Sequence, residues 1–354
     1  MASARDQLLT ALSEAASQQP ERIKAAEAHL RQWEVEPEFY STLLDVILDK
    51  SIDANIRFLG AIFFKHGIDR YWRKSAKNAI NPDEKAKIRS RLLFFMDEEF
   101  NQLATQNAIL VSKIARLDFP NEWPDLLQSL LSIIHSTLTP SSNTQTILIQ
   151  KRALLTLHLV IKSLCSKTIG ADRKMLEQIA PELFRNVASI YVEHANRFFA
   201  MISSNDFGDT TDLETSLSAL KCIRRLIVHG FRDISQVEET KDFFALSLEH
   251  LQKFHALRNA LQENTSPTLV QVSAHIILIG KMYIDLLKSH TVAFIMTPRS
   301  IDVIHFYLQL LVTYGKSSEK GNSAKFNIIE KFLVQALLLL KGLIRKTSYN
   351  QDLR

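Results

Sequence analysis

The chain has 354 residues, 46% of them apolar and 23% charged, with 43 basic side chains against 38 acidic ones. That length exceeds the usual size of a single compact core, so several domains or an elongated repeat are required. A net charge of +5 is too slight to mark a nucleic-acid binder, whose basic residues gather on one face, so no direct nucleic-acid partner is expected.

Only nine glycines and nine prolines occur, so turns are few and long helices are favoured over many short strands. Residues 3–17 carry Leu8, Leu9, Leu12, Ala15 and Ala16 on one side. Pro20 opens a second helix at a tolerated first-turn position, with Ile23, Ala26, Leu30 and Trp33 as its apolar stripe. A connection this short makes the two helices antiparallel. Pro37 is expected to open a third helix, with Phe39, Leu43 and Ile47 inward. Asp53 can cap a fourth. Along it Ile56, Leu59 and Phe63 form one apolar face, with Phe58 and Ile62 as a second stripe. A helix covered on two sides suits the inner layer of a stacked array.

After a basic link at 69–80, Asn81-Pro82-Asp83-Glu84 reads as a cap, a first-turn proline and two acids facing the helix dipole. Ile88, Leu92 and Phe95 follow on one face. The partner helix, from about Glu99, has one stripe of Leu103, Leu110, Ile114 and Leu117 and a smaller one of Ala104, Ala108, Val111 and Ala115. Small residues let neighbouring helices approach closely. Pro120 stops that helix, Asp118 is expected to cap the turn, and Asn121 with Pro124 starts the next. Leu126, Leu127, Leu130, Leu131 and Ile134 form its core face. Polar loops are expected at 139–146 and 204–212. Helices are expected at 147–167, 171–203 with a kink at Pro181, 211–229, 236–263, 267–290, 298–315 and 323–347.

First helices of successive pairs thus begin near 3, 37, 82, 121 and 171, and later near 236 and 298. The early spacing is close to the roughly 40–47 residues of HEAT and armadillo repeats. The expected fold is all-α: a right-handed, arch-shaped α-solenoid of about seven helical hairpins, each stable only by stacking on its neighbours. Asp53 and Arg57 fit the acid and base that form ladders between such repeats.

Catalysis finds no support. No glycine-rich phosphate loop exists; Gly315 to Gly321 lacks the spacing and a preceding strand. His250 and His255 do not share a helical face, so they are poor metal ligands. Cys165 and Cys222 lie far apart in apolar helical patterns and read as reduced, buried thiols. No cofactor, metal or enzyme activity is expected. The opening MASARDQLLTALSEAA is amphipathic and carries Asp6 and Glu14, unlike a secretory or transit signal. The longest apolar run, Phe332 to Leu340, is broken only by Gln335 and falls well short of the ~20 residues of a membrane span. A soluble, monomeric, intracellular protein without membrane insertion is the expectation.

The stretch NIRFLGAIFFKHGIDRYW, residues 55–72, resembles the amino-terminal motif of the importin-β (karyopherin-β) superfamily. There an arginine, small or apolar residues, a lysine and a later tryptophan mark the second helical pair. LDFPNEWPDLLQSL, residues 117–130, resembles the superfamily's aspartate–proline–tryptophan–proline signature. The finer similarity is to the importin-eleven branch, in the runs Lys65 to Arg73, Arg152 to Thr156, Ala171 to Lys174 and Gln32 to Leu44, with His66 where most members carry asparagine. It is clear from residue 1 to about 230.

The resemblance implies a nuclear transport receptor that shuttles between nucleus and cytoplasm. Residues 1–120 would form the repeats whose concave face binds the GTP form of the small GTPase Ran, and 121–354 further repeats of the same solenoid. Phenylalanine–glycine nucleoporins would dock on the convex side. Protein cargo, with ribosomal proteins and ubiquitin-conjugating enzymes among the classes, would bind elsewhere on the inner surface. Arg57 and Lys65, eight positions apart, are candidates for a polar edge facing Ran; alternatively Arg57 is a rung between repeats and Lys65 a solvated side chain. Arg70 and Arg73 belong to a basic cluster with Lys74 and Lys77, either a Ran contact or solvated surface. Lys113 and Arg116 should lie near the same edge. Four adjacent pairs, Phe63-Phe64, Phe94-Phe95, Phe198-Phe199 and Phe243-Phe244, offer side chains to grooves between outer helices unless neighbouring repeats cover them. A HEAT scaffold of a stable complex, without transport, is the alternative reading.

Overall fold

The computed structural model describes residues 3–136, 143–167, 170–203, 209–261, 267–297, 299–315 and 323–349. They form two units, Met1–Lys167 and Thr168–Arg354. The described residues contain helices and turns and no strand. Of the loops expected at 139–146 and 204–212, residues 139–142 and 204–208 lie outside them, as do 316–321; residues 144–146, expected as loop, already belong to a helix because Asn143 caps it.

In the first unit, α1 (Ala4–Ala15) opens on a capping box between Ser3 and Asp6 and pairs with α2 (Pro20–Trp33). The next hairpin joins α3 (Phe39–Leu48) to α4 (Ala54–Tyr71), whose cap is Asp53, accepting from the Asn55 N–H at 2.8 Å. The third joins α5 (Pro82–Arg91) and the 3-10 turn Leu92–Asp97 to α6 (Asn101–Asp118). The fourth joins α7 (Leu126–Ser136) to α8 (Thr144–Cys165). First helices α1, α3 and α5 pack in one row, and second helices α4, α6 and α8 in another.

Several local expectations change. Helix α3 starts two residues after Pro37 because Glu38 adopts a left-handed turn, φ 61°. Its first turn is capped from the next hairpin: Glu84 accepts from the Glu38 and Ser41 N–H groups, both at 3.0 Å. Glu84 therefore serves α3 rather than its own helix. On α4 the most buried residues are Arg57, Gly60, Ala61, Phe64, Gly67 and Ile68, while the expected stripes of Ile56, Leu59 and Phe63 and of Phe58 and Ile62 are only half-buried. A helix between two layers presents its small residues where a neighbour comes closest, and its large ones fill the flanks. Leu117, expected inside, is 38% exposed. Helix α7 begins later than Asn121, and the carboxylate of Asp118 is drawn to Trp72 and Arg89 instead of capping the turn.

In the second unit, α9 (Gly170–Ser203) pairs with α10 (Thr211–His229), and α11 (Glu238–Ala260) with α12 (Pro267–Ser289). After the short helix α13 (Thr291–Met296), which the sequence pattern did not single out, α14 (Ser300–Gly315) pairs with α15 (Ser323–Tyr349). Pro181 lies inside α9 without ending it. Helices α10, α12 and α15 form the second-helix row. Helix α12 is long and apolar enough to cross a membrane by length and composition, yet most of that stretch is buried inside the stack. Four hairpins and then three make seven among the described residues, and the fold is an all-α solenoid of HEAT type.

Of the adjacent phenylalanines, Phe243 and Phe244 are both buried, and Phe63 and Phe199 are half-buried beside buried partners. Neighbouring repeats thus cover these pairs. Phe94, on the 3-10 turn, is 67% exposed.

Candidate functional site

Polar side chains join successive hairpins of the first unit at a nearly constant sequence separation. Arg57 bonds Glu98, 41 residues on, and Lys65 donates to Gln106, also 41 on, at 3.2 Å. Lys113 pairs with Asp69, 44 residues back; Arg116 donates to the Ser163 carbonyl, 47 on, at 3.0 Å, and to the Ser166 hydroxyl. In the second unit the same kind of link spans more chain: 54 residues from Arg185 to Glu239 and 61 from Arg224 to Asp285. Each separation measures one repeat, and the longer helices of the second unit lengthen it.

The six candidate contact residues fall into four situations. Arg57 is buried, with its side chain 5% exposed, and is removed from any contact surface. Its Nε donates to the Ile47 carbonyl at 2.8 Å and its terminal nitrogen pairs with Glu98, so it is the rung between repeats. A guanidinium can occupy such a site only when its donors are matched. Arg152 continues the rung, donating to the Glu98 carbonyl at 2.8 Å and to Asn101 at 2.7 Å.

Lys65 and Lys113 are half-buried on α4 and α6, bound across the helix row. With Arg116, exposed at the end of α6, they form a polar strip along the second helices. Arg70 lies past the strip's end and is tied to the first hairpin: it donates to Glu34 at 2.8 Å, and Tyr71 bonds the same carboxylate oxygen at 2.9 Å. Burial beside Glu34 pushes the Tyr40 and Tyr71 hydroxyls up, so both stay protonated donors. Arg73 is exposed and makes no ion pair among the described residues.

Residues that sequence reasoning did not place here are Gln106, Asp69 and Glu34. Each contributes across a repeat boundary. The signal available was a polar residue recurring about one repeat away from each cation. Trp72 and Trp123 are buried packing residues. Among the described residues no group of three or more metal-ligand side chains comes together.

Comparison with known proteins bears on the whole chain. Residues 26–98 match the importin-beta N-terminal domain family. Importin-11 of Mus musculus is 36% identical over 349 residues, covering 98% of this chain and 34% of that protein. The importin beta-like protein KAP120 of Saccharomyces cerevisiae is 32% identical over 322 residues, 91% of this chain and 30% of that one. Among solved structures, Lph2, described as a bidirectional nuclear transport receptor in S. cerevisiae, superposes with a TM-score of 0.80 at 29% identity, over 95% of this chain and 32% of that one. The exportin Cse1 in its cargo-free, cytoplasmic state superposes at 0.68 with 19% identity, which speaks to the fold alone. The chain spans about a third of the length of these relatives. They are named as importins or transport receptors, not as enzymes.

Proposed function

Since the chain belongs to the importin-β superfamily, within its importin-eleven branch, we propose that it works in nuclear transport, with its first repeats engaging the GTP form of Ran. The observation that carries this reading is the 36% identity to an importin sustained over 98% of the chain. The strip on the second helices supplies the contact surface. Lys65, Lys113 and Arg116 lie along it, Arg70 extends it in the last turn of α4, and Arg73 just past the end of that helix. Arg57 stands behind it as a rung. Phenylalanine–glycine nucleoporins dock between first helices, where Phe94 is exposed, and protein cargo binds elsewhere, to be carried into the nucleus. The protein then shuttles between cytoplasm and nucleus.

The test is co-elution of the chain with Ran loaded with GTP or GDP. Preference for the GTP form is expected, and Lys65→Glu with Lys113→Glu should weaken it at least about tenfold, the effect of losing two charge-assisted contacts, with helical content unchanged by circular dichroism. Equal binding of the two nucleotide forms would turn the reading toward a HEAT scaffold. Unchanged binding by the double variant would move the contact to another surface.

A further inference from the structure

One lysine in the first unit is buried without an anionic partner. Lys85, on α5, is 6% exposed. Its ammonium lies over the Trp72 ring, 5.8 Å from the centroid, and makes no hydrogen bond or ion pair among the described residues. The nearby carboxylate of Asp118 is occupied elsewhere: Trp72 Nε1 donates to one oxygen at 3.0 Å and Arg89 to the other at 2.7 Å. Burial pulls the Lys85 ammonium below its ordinary value, against the attraction of Asp118. A largely buried cation that rests on a ring face and has no direct ion pair gains from an arriving anion.

Lys85 lines a cavity of about 330 Å³. Trp72, Arg73 and Lys74 line it from the end of α4, Pro82 and Arg89 from α5, and Asp118 and Glu122 from the end of α6. Arg73, Lys74, Lys85 and Arg89 outnumber Asp118 and Glu122 by two positive charges. That excess matches a phosphoryl group, which carries between one and a half and two negative charges, roughly, at neutral pH. At the rim Lys74 is held by Glu122 at 2.7 Å, an exposed pair of little net strength that can be exchanged for a better partner.

We propose that this pocket is a socket for a phosphoryl dianion, presented by a phosphorylated side chain of a partner protein or free as inorganic phosphate. Lys85 is its buried ligand. Arg73 and Lys74 close on the anion from the rim, and the Arg89–Asp118–Trp72 bonds hold the wall in place. The socket lies within one unit and does not depend on the transport reading.

Calorimetric titration of the full chain tests it, with sodium phosphate in one arm and a short glycine-flanked phosphoserine peptide in the other, at constant ionic strength set with chloride. Saturable binding is expected. Lys85→Met should reduce affinity at least about tenfold, the scale of one buried charge-assisted bond, while its melting midpoint without phosphate stays level or rises. Lys85→Gln provides the same comparison should the methionine variant fail to fold. Tighter binding of the peptide assigns the socket to a phosphorylated partner; equal affinities assign it to free phosphate. Failure of both probes to bind the natural chain, or equal binding by the Lys85 variants, overturns the proposal.

Discussion

Arg57 shows what one side chain does in a stacked array. It sits on an apolar helix, at a position where periodicity alone leaves it either facing a partner or bridging repeats. The structure commits it to Glu98, with both side chains 5% exposed. The Phe100 N–H donates to the other Glu98 oxygen at 2.9 Å, so the carboxylate is bound on both sides. Removing the arginine alone strands a buried negative charge. Arg57→Met should therefore destabilise the chain by about 3–5 kcal/mol. Arg57→Met with Glu98→Met should lose less than the sum of the two single changes, because it removes the stranded charge along with its partner. Urea unfolding of the four proteins measures both quantities, and strict additivity would show that the pair is not coupled.

At the scale of the element, α4 depends on how closely α3 approaches it. Gly67 faces the hydroxyl end of the Tyr40 ring, and a Cβ added there would come within 2.2 Å of its Cε1 and hydroxyl oxygen. Tyr40 cannot withdraw easily, being 1% exposed and packed against Phe39, Phe64 and Tyr71. Gly67→Ala should accordingly destabilise by about 1–3 kcal/mol, the usual scale of overpacking, despite alanine's better helix propensity. Thermal melts check the sign; Tyr40→Leu in the same chain should recover part of the loss. A surface glycine would show the opposite sign, so the outcome reports whether the two helices pack this closely in solution. The sequence marks α4 as covered on two sides but not which residues meet the neighbour, because a small-residue stripe carries almost no hydropathy signal.

For the molecule as a whole, the two units should respond differently to acid. In the second unit His250, His255 and His275 are buried, and burial lowers each to about 4 from an ordinary 6.5. His250 bonds the Tyr191 hydroxyl at 3.0 Å, His275 the Ser216 hydroxyl at 2.8 Å, and His255 lies between the rings of Phe306 and Phe332. The histidines of the first unit are exposed or half-buried. Since the folded values are depressed, the unfolded chain takes up these protons first. Stability is full above pH 6.5 and falls as pH drops through 6.5 toward 4, by about 1.4 kcal/mol per pH unit for each group. Hydrogen-exchange protection at pH 5 should thus fall relative to pH 7 more in 168–354 than in 1–167. His255→Phe should reduce that difference. Equal losses in both units would show that these rings are not held neutral in the folded protein.

The sequence by itself determined the all-α solenoid, most helix positions and the family, because each rests on local information: apolar period, caps, prolines and short motifs such as residues 55–72 and 117–130. Asn81, Asp53 and Pro82 mark helix starts without reference to anything distant. What the tertiary structure decided is the assignment of polar side chains. Arg57 turned inward to Glu98, Arg70 to Glu34, Glu84 to the start of α3, and Lys85 into a pocket whose carboxylates are bound to other side chains. The first three depend on a partner roughly one repeat away and Lys85 on the ring of Trp72 at the end of the preceding helix, and a charged residue looks the same in sequence whether it faces solvent or the next repeat. Only packing, by removing water from one and leaving it around the other, separates the two.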